Sequence, residues 1–251
     1  MSFTLAPPYN ALSTLDDSVR ERGYALLQTQ DFIDLAHTNA VALEQMEPYW
    51  HDLPADPYLR DGGHYRYRRH ASMIVEGQQA RLAPHRAHWQ PEQYNALHGG
   101  IERWFEPIDD KLLAQPAWSA VILGLADLCS RVRSPQPWYV EAHQFRIDTT
   151  GGIGRPTPEG AHRDGVDFVA VILVGRHGVK GGETRVFESH SPHGIRFTMT
   201  EPWSAMVLDD HRVIHETTPI QPLKADQAPG WRDTLVLTYR AQGFLQPPAS
   251  A

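Results

Sequence analysis

The chain has 251 residues, of which 41% are hydrophobic, 21% charged and 10% aromatic, a composition that supports a buried core and excludes a disordered or fibrous polypeptide. Its 23 basic and 30 acidic side chains leave a net charge of −7, so no broad basic field exists to attract nucleic acid or an anionic membrane. One cysteine, Cys129, beside 14 histidines excludes an internal disulfide and a thiolate metal cluster, and leaves nitrogen and oxygen as the ligands of any metal. The N-terminal stretch lacks the pattern of a secretory signal and no apolar run reaches membrane-spanning length, so a soluble, cytoplasmic protein is expected.

Apolar residues recur at three- and four-residue intervals over residues 32–46, 94–105 and 118–132, which predicts three helices, the first capped by Asp31. Between the first two, DGGHYRYRRHASMIV (residues 61–75) turns at Gly62 and Gly63 and then alternates. As a strand it presents Tyr65, Tyr67 and Arg69 on one face and His64, Arg66, Arg68 and His70 on the other. Beyond the breaker SPQPW (134–138), short β-branched or aromatic runs at 139–148, 167–174, 183–188, 195–200, 204–208 and 234–239 are separated by turn residues. Strands so spaced, with no helical pattern between them, predict an antiparallel sandwich or open barrel. One domain over residues 1–251 is expected, with 1–133 forming a helical buttress and substrate-side loops and 138–246 the β core.

Chemistry concentrates in three places. In GAHRDGVDF, His162 and Asp164 stand two apart at the start of a predicted strand and share a face; a strand-edge salt bridge is the plain alternative. In LDDHRVIHETTPI, His215 lies inside an apolar run, with His211 four residues earlier as a rival. Two histidines and one carboxylate would form a facial triad with positions left open for substrate and O2, the pattern of non-haem Fe(II) oxygenases. Neither His-Glu-x-x-His nor paired Cys-x-x-Cys is present to suggest zinc. In GWRDTLVLTYR, Arg232 and Thr234 share a strand face, a guanidinium fork and a hydroxyl suited to one end of a dicarboxylate; a solvated edge arginine is the alternative reading.

Taken in order, HRD at 162–164, GGET at 181–184, DDHRVIHETTPI at 209–220 and RDT at 232–234 resemble the Fe(II)/2-oxoglutarate-dependent dioxygenases. More narrowly, they resemble the bacterial hydroxylases of free L-amino acids that include L-isoleucine hydroxylase. The resemblance covers residues 138–240 and extends to GGHYRYRRHAS at 62–72. It implies a mainly β fold with flanking helices: a double-stranded β-helix, or distorted jelly roll, buttressed by N-terminal helices. It implies iron held by His162, Asp164 and His215, and 2-oxoglutarate held at its distal carboxylate by Arg232 with help from Thr234. O2 as the second cosubstrate and ascorbate as reductant follow from the same resemblance. Related halogenases lack the carboxylate ligand, so Asp164 points to hydroxylation of an unactivated C–H bond with release of succinate and CO2.

The substrate this implies is a small molecule, a free aliphatic or cyclic amino acid, with no nucleic acid or membrane as partner. Such a molecule needs a clamp for its carboxylate and an acceptor for its ammonium group. Arg66 and Arg68 are candidates for the first, Asp167 for the second and Tyr65 for an aromatic wall. Gln144 and Arg146 share a strand face and are expected to look into the barrel, which turns His143 away. The remaining histidines, His88 and His98 among them, are expected at the surface. A peptide or another small metabolite is the alternative substrate, and a metal-binding jelly-roll accessory protein without catalysis the alternative function. The choice between His215 and His211 stays open, as do the amino acid, the carbon attacked and the oligomeric state.

Overall fold

In the computed structural model residues 5–191, 193–224 and 229–248 are described; the ends of the expected domain, and short parts of its 138–246 stretch, lie outside the described residues. The elements run α1 (Leu15–Arg22), β1 (Tyr24–Leu27), α2 (Thr29–Leu35), α3 (Ala40–Glu44), β2 (Arg66–Glu76), β3 (Gln79–Leu82), α4 (Asp110–Leu113) and α5 (Pro116–Val132). They continue β4 (Trp138–Asp148), β5 (Phe168–His177), β6 (Val179–Gly181), β7 (Thr184–Glu188), β8 (Gly194–Phe197), β9 (Ala205–Asp209), β10 (Val213–Thr217), β11 (Ile220–Pro222) and β12 (Trp231–Arg240). Seven strands form an antiparallel sheet in the order β1-β9-β5-β12-β4-β2-β3, faced by a three-stranded sheet β10-β7-β8 and a two-stranded ribbon β11-β6. The architecture is the mainly β jelly roll with flanking helices that the sequence led us to expect.

Side-chain alternation divides the large sheet into two faces with different tasks. Ala71 and Met73 of β2, Val140 and Ala142 of β4, Ala170 and Ile172 of β5, and Leu235 and Leu237 of β12 pack into one apolar cluster with Trp118, Val121, Ile122 and Leu125 of α5. These α5 positions fall on one stripe because they recur at three and four residues, and Pro116 opens the helix where its missing N–H costs nothing. On the opposite face, Val169, Val171 and Leu173 of β5 and Met206 and Leu208 of β9 pack against Val186, Phe197 and Val213 of the small sheet. Further along that face, β12, β4 and β2 instead carry Arg232, Thr234, Thr238, His143, Phe145, Arg66 and Arg68 into a cavity. The inter-sheet space is thus oily at the β5 end and polar at the β2 end.

The polar end is covered by irregular chain. The edge of β2 over residues 66–70 receives the Pro54–Asp56 segment, through Arg68 N donating to Pro54 O and Asp56 N to Arg66 O (each 2.9 Å), and the Glu106–Pro107 segment, through His70 N donating to Glu106 O (3.0 Å). These contacts cap a strand edge that would otherwise offer unpaired backbone groups.

Three local expectations change. Residues 32–46 form two short helices, α2 and α3, because the chain breaks at His37, whose φ is +50°; Asp31 sits inside the first turn of α2 and its N-cap is Gln28. Residues 94–105 form turns rather than a helix, since Gly99 and Gly100 fall mid-pattern and Gly100 adopts φ +75°. His162 and Asp164 precede β5 instead of opening it. No helix among the described residues is long and apolar enough to cross a membrane.

Candidate active site

His162 and His215 are brought together by an isolated antiparallel bridge, each backbone N–H donating to the other's carbonyl at 3.0 Å. His215 is a β10 residue, and β10 is held in register by β7 (His215 opposite Val186). Asp164 reaches the same point from a turn fixed by Asp210, whose carboxylate accepts from the backbone N–H of Asp164 (3.0 Å), Gly165 (2.7 Å) and Val166 (3.1 Å). That turn needs a glycine twice over: Gly165 has φ +80°, and a Cβ there would meet the Tyr94 ring at 2.5 Å.

The three side chains present donor atoms within 4.8 Å of one another. His162 Nε2 lies 3.9 Å from Asp164 Oδ1, and His215 Nε2 3.8 Å from Asp164 Oδ2. Two bonds of ~2.1 Å to one ion separate their donors by at most about 4.2 Å, so both spacings suit a shared metal. His162 Nδ1 stands 2.9 Å from Gly160 O; a carbonyl can only accept, so the ring proton sits on Nδ1 and Nε2 keeps its lone pair for the metal. Burial, with the neighbouring His162, keeps His215 neutral by pushing its pKa well below the usual imidazole range. Burial, with the adjacent Asp164 carboxylate, pushes Asp210 up to about 7 against the pull of its three backbone donors. The residues therefore fit a divalent ion bound by two imidazoles and one carboxylate, with the remaining positions turned to the cavity.

Arg232 faces the same cavity from β12 with 3% of its surface exposed, and its Nε and Nη2 have no hydrogen-bond partner among the described residues. Burial, together with the nearby Arg176 cation, pushes its pKa down to about 10. A buried guanidinium with free donors is costly unless an anion completes it. Thr234 and Thr217 line the cavity beside it, and the Thr184 and Thr217 hydroxyls lie 3.3 Å apart. Gly181 and Gly182 of the GGET segment take φ +80° and +70°, the turn role that paired glycines suggest.

The opposite wall is built from the first half of the chain. Arg66 donates from Nε to Asp56 (2.7 Å). Arg68 reaches His143 Nδ1 from Nη2 (2.6 Å) and lies over the Phe105 and Phe145 rings at 3.6 and 4.4 Å. Behind it, His70, His88, His143 and Glu141 form a second buried group whose donor atoms also lie within 4.8 Å of one another. Arg86 donates to Glu141 (3.2 Å) and Arg68 to His143, so a cation in this group would sit against two guanidiniums. Burial pushes the three imidazoles down, His88 to about 4. Burial alone would raise Glu141, but His88 and His70 outweigh it and hold the carboxyl well below its ordinary range. The group, three neutral imidazoles around one carboxylate, is a buried back wall that aims Arg68.

Comparison with known proteins is decisive at the level of family. The family model described as 2OG-Fe dioxygenase matches residues 47–238. The chain belongs to that family. This dioxygenase is 51% identical to a bsmA homolog from Methylobium petroleophilum PM1, over 97% of its own length and 98% of the other chain, with a TM-score of 0.91. At 17% identity it shares its fold with IDO from Bacillus thuringiensis (TM-score 0.74, 96% and 100% covered). The Fe(II)/(alpha)ketoglutarate-dependent dioxygenase TqaL stands at the same identity (TM-score 0.70, 91% and 86% covered). No curated protein matches it. Membership implies Fe(II), 2-oxoglutarate and O2 as the dioxygenase's cofactor and cosubstrates.

Of the residues singled out in the sequence, His162, Asp164, His215, Arg232, Thr234, Arg66 and Arg68 share the cavity, whereas Tyr65, Asp167 and Gln144 are not among the side chains that line it. Tyr65 gives its hydroxyl proton to Asp61 and packs with Ile147 and Ile220. Asp167 accepts from Arg133 (3.0 Å) and from Ala241 N (2.9 Å). His211 is turned out to solvent, its side chain 59% exposed and 3.4 Å from Asp167, which leaves His215 as the histidine at the triad. Gln144 lies on the helix side, donating to Tyr49 O (3.3 Å), and Arg146 forks onto Asp233 (2.8 and 2.6 Å). The β4 faces are therefore the reverse of the expected ones: His143 looks into the cavity. His88 and His98, expected at the surface, are buried.

The sequence reading missed Gln90, Asn95, Arg103 and Glu159, all of which line the cavity. Gln90 and Arg103 sit on irregular chain, joined to itself by the isolated His88–Arg103 bridge, and no periodic pattern marks them. Glu159 stands in PTPEGAH, three residues before His162, and that proximity was a usable signal.

Proposed function

We propose that this dioxygenase hydroxylates an unactivated C–H bond of a free amino acid, with Fe(II) at His162, Asp164 and His215 and 2-oxoglutarate at Arg232 and Thr234. The observation that carries the cosubstrate half is the partnerless, buried Arg232 opening onto the same cavity as the triad. A dicarboxylate whose far end meets the guanidinium fork and the Thr234 hydroxyl satisfies those donors and leaves its other end for the metal. When bound, iron and 2-oxoglutarate together supply the oxidising power, and one oxygen atom of O2 goes to the substrate while decarboxylation gives succinate and CO2.

The protein's own residues do the rest. Gly160 fixes the His162 ring, Asp210 fixes the Asp164 turn, and Gln90 donates to Asp164 Oδ1 (3.1 Å), so these two ligands are oriented before the metal arrives. Retention of Asp164 favours hydroxylation over halogenation. Arg66 and Arg68 on the opposite wall suit a small, charged substrate.

The test is succinate release with Fe(II), 2-oxoglutarate and ascorbate against a panel of free amino acids, read together with the mass of the product. A gain of about sixteen mass units on one amino acid, one oxygen atom transferred, is the expected result. Turnover stimulated by a peptide and by no free amino acid would assign a different substrate class, and no 2-oxoglutarate consumption at all would leave a metal-binding protein without catalysis.

A further inference from the structure

Apart from Nδ1 of His215 in the triad, the polar atoms left unpaired in the cavity fall into two sets. One is Arg232, already accounted for by the cosubstrate. The other lies towards β2 and its loops: Arg66 Nη2, Arg68 Nε, Arg103 Nε and Glu159 Oε2 are buried with no hydrogen-bond partner among the described residues. Buried polar atoms in folded proteins are paired almost without exception, so a cluster of unpaired ones at one cavity points to a ligand that pairs them.

We propose that Glu159 accepts the substrate's ammonium group while Arg66 and Arg103 take its carboxylate, so that the site recognises an α-amino acid as a zwitterion. This rests on the free-amino-acid reading given above and deepens it.

The chemistry of the two ends is complementary. An ionised carboxylate only accepts hydrogen bonds, and a guanidinium only donates. Glu159 stands beside the triad, its Oε1 3.5 Å from His162 Nε2 and its side chain 12% exposed. Its other oxygen, Oε2, is buried and has no donor among the described residues. Arg66 is held by Asp56 through Nε and Arg103 by Gln90, whose Oε1 accepts from Arg103 Nη2 at 2.9 Å; each keeps a donor free. Arg68 is more committed, to His143 and to two aromatic faces, and serves as a neighbouring positive charge.

Gln90 joins the two sides. Its Oε1 takes the Arg103 proton and an Asn95 amide proton (3.2 Å), which forces its amide nitrogen towards Asp164. The carboxylate clamp is thereby tied to a metal ligand through one side chain, and Gln90 is a positioning residue for both.

The experiment uses the amino acid that the panel identifies, its carboxylic acid lacking the amino group, and its carboxamide, on the full-length protein loaded with iron. Glu159→Gln should lower kcat/KM for the amino acid roughly 10- to 100-fold, the loss expected for one charge-assisted hydrogen bond, and should narrow the preference over the deaminated acid by a similar factor. Iron content and thermal midpoint should stay at wild-type values. Arg103→Gln should instead narrow the preference for the amino acid over its carboxamide. Wild-type protein that no amino acid stimulates defeats the free-amino-acid reading itself. Wild-type stimulation with both preferences intact in the two variants defeats only the present assignment, and loss of iron from Glu159→Gln would reassign Glu159 to the metal.

Discussion

The two walls of the cavity handle positive charge differently. Arg232 comes from a regular strand hydrogen-bonded on both sides, to β4 and β5, and its Nε and Nη2 are left without a partner among the described residues. Arg66, Arg68 and Arg103 are wired instead into Asp56, His143 and Gln90, on the edge strand and irregular chain. A buried guanidinium with free donors, on a strand paired on both sides, suits a ligand of fixed length and charge. Arg66 and Arg103 lean on Asp56 and Gln90 of irregular chain, and contacts of that kind can be re-aimed by changing the loop. On the function proposed above, the Arg232 wall serves the cosubstrate and the wall of Arg66, Arg68 and Arg103 the choice of substrate.

The largest expected effect breaks the first wall at its metal. Asp164→Ala removes the sole carboxylate of the triad and should abolish turnover and weaken iron binding, read by metal analysis and succinate release; full activity would remove Asp164 from the triad. Next, Arg232→Ala should raise the 2-oxoglutarate requirement by roughly two orders of magnitude, the scale of losing one partner of a buried ion pair, while iron affinity changes far less. Unchanged cosubstrate dependence would move the assignment, with Arg240 the next arginine along the strand.

Gln90→Leu sharpens the contrast, because Gln90 bonds both the metal-triad residue Asp164 and the opposite wall's Arg103. It should weaken iron binding by roughly 10-fold, the lower end for a group that orients a metal ligand, and raise KM for the amino acid as Arg103 loses its anchor; a change in only one of the two would show that the walls are independent.

The smallest effect concerns the back wall. His88 is pushed down to about 4 by burial, against about 6.5 in the unfolded chain, so between these values the unfolded state binds the proton and the folded state does not. Stability is therefore intact above about pH 6.5 and is lost as the pH falls towards 4, by on the order of 1 kcal/mol per pH unit for one such imidazole. His70 and His143, also pushed down by burial, act in the same direction. Chemical denaturation across that range should show the slope, and His88→Gln should make it shallower; an equal slope would place the titration elsewhere.

Motifs with short-range geometry were the legible part. His162 and Asp164 are two residues apart, and Arg232 and Thr234 are two apart on one strand, so local spacing was enough to group them. The β4 strand was read with its faces exchanged, and the reason is physical. Alternation shows that a strand has two faces, but when helices cover one and a cavity the other, both are buried and composition no longer says which is which. Gln144 at 0% exposure and His143 at 4% illustrate it. Asp167 stands outside the cavity although the chain does turn at Gly165, pinned by Asp210, because Arg133 and the Ala241 N–H take up its carboxylate.

By itself the sequence determined the strand-rich fold, the nitrogen and oxygen character of any metal site, and the pairs His162 with Asp164 and Arg232 with Thr234, because each depends on composition or on neighbours within a few residues. Only the tertiary structure decided that His215 and not His211 joins the triad, that Tyr65, Asp167 and Gln144 stand outside the cavity, and that Gln90, Arg103 and Glu159 stand inside it. Those outcomes depend on long-range contacts, such as the His162–His215 bridge and the backbone bonds of Pro54 and Glu106 to β2, rather than on any local pattern.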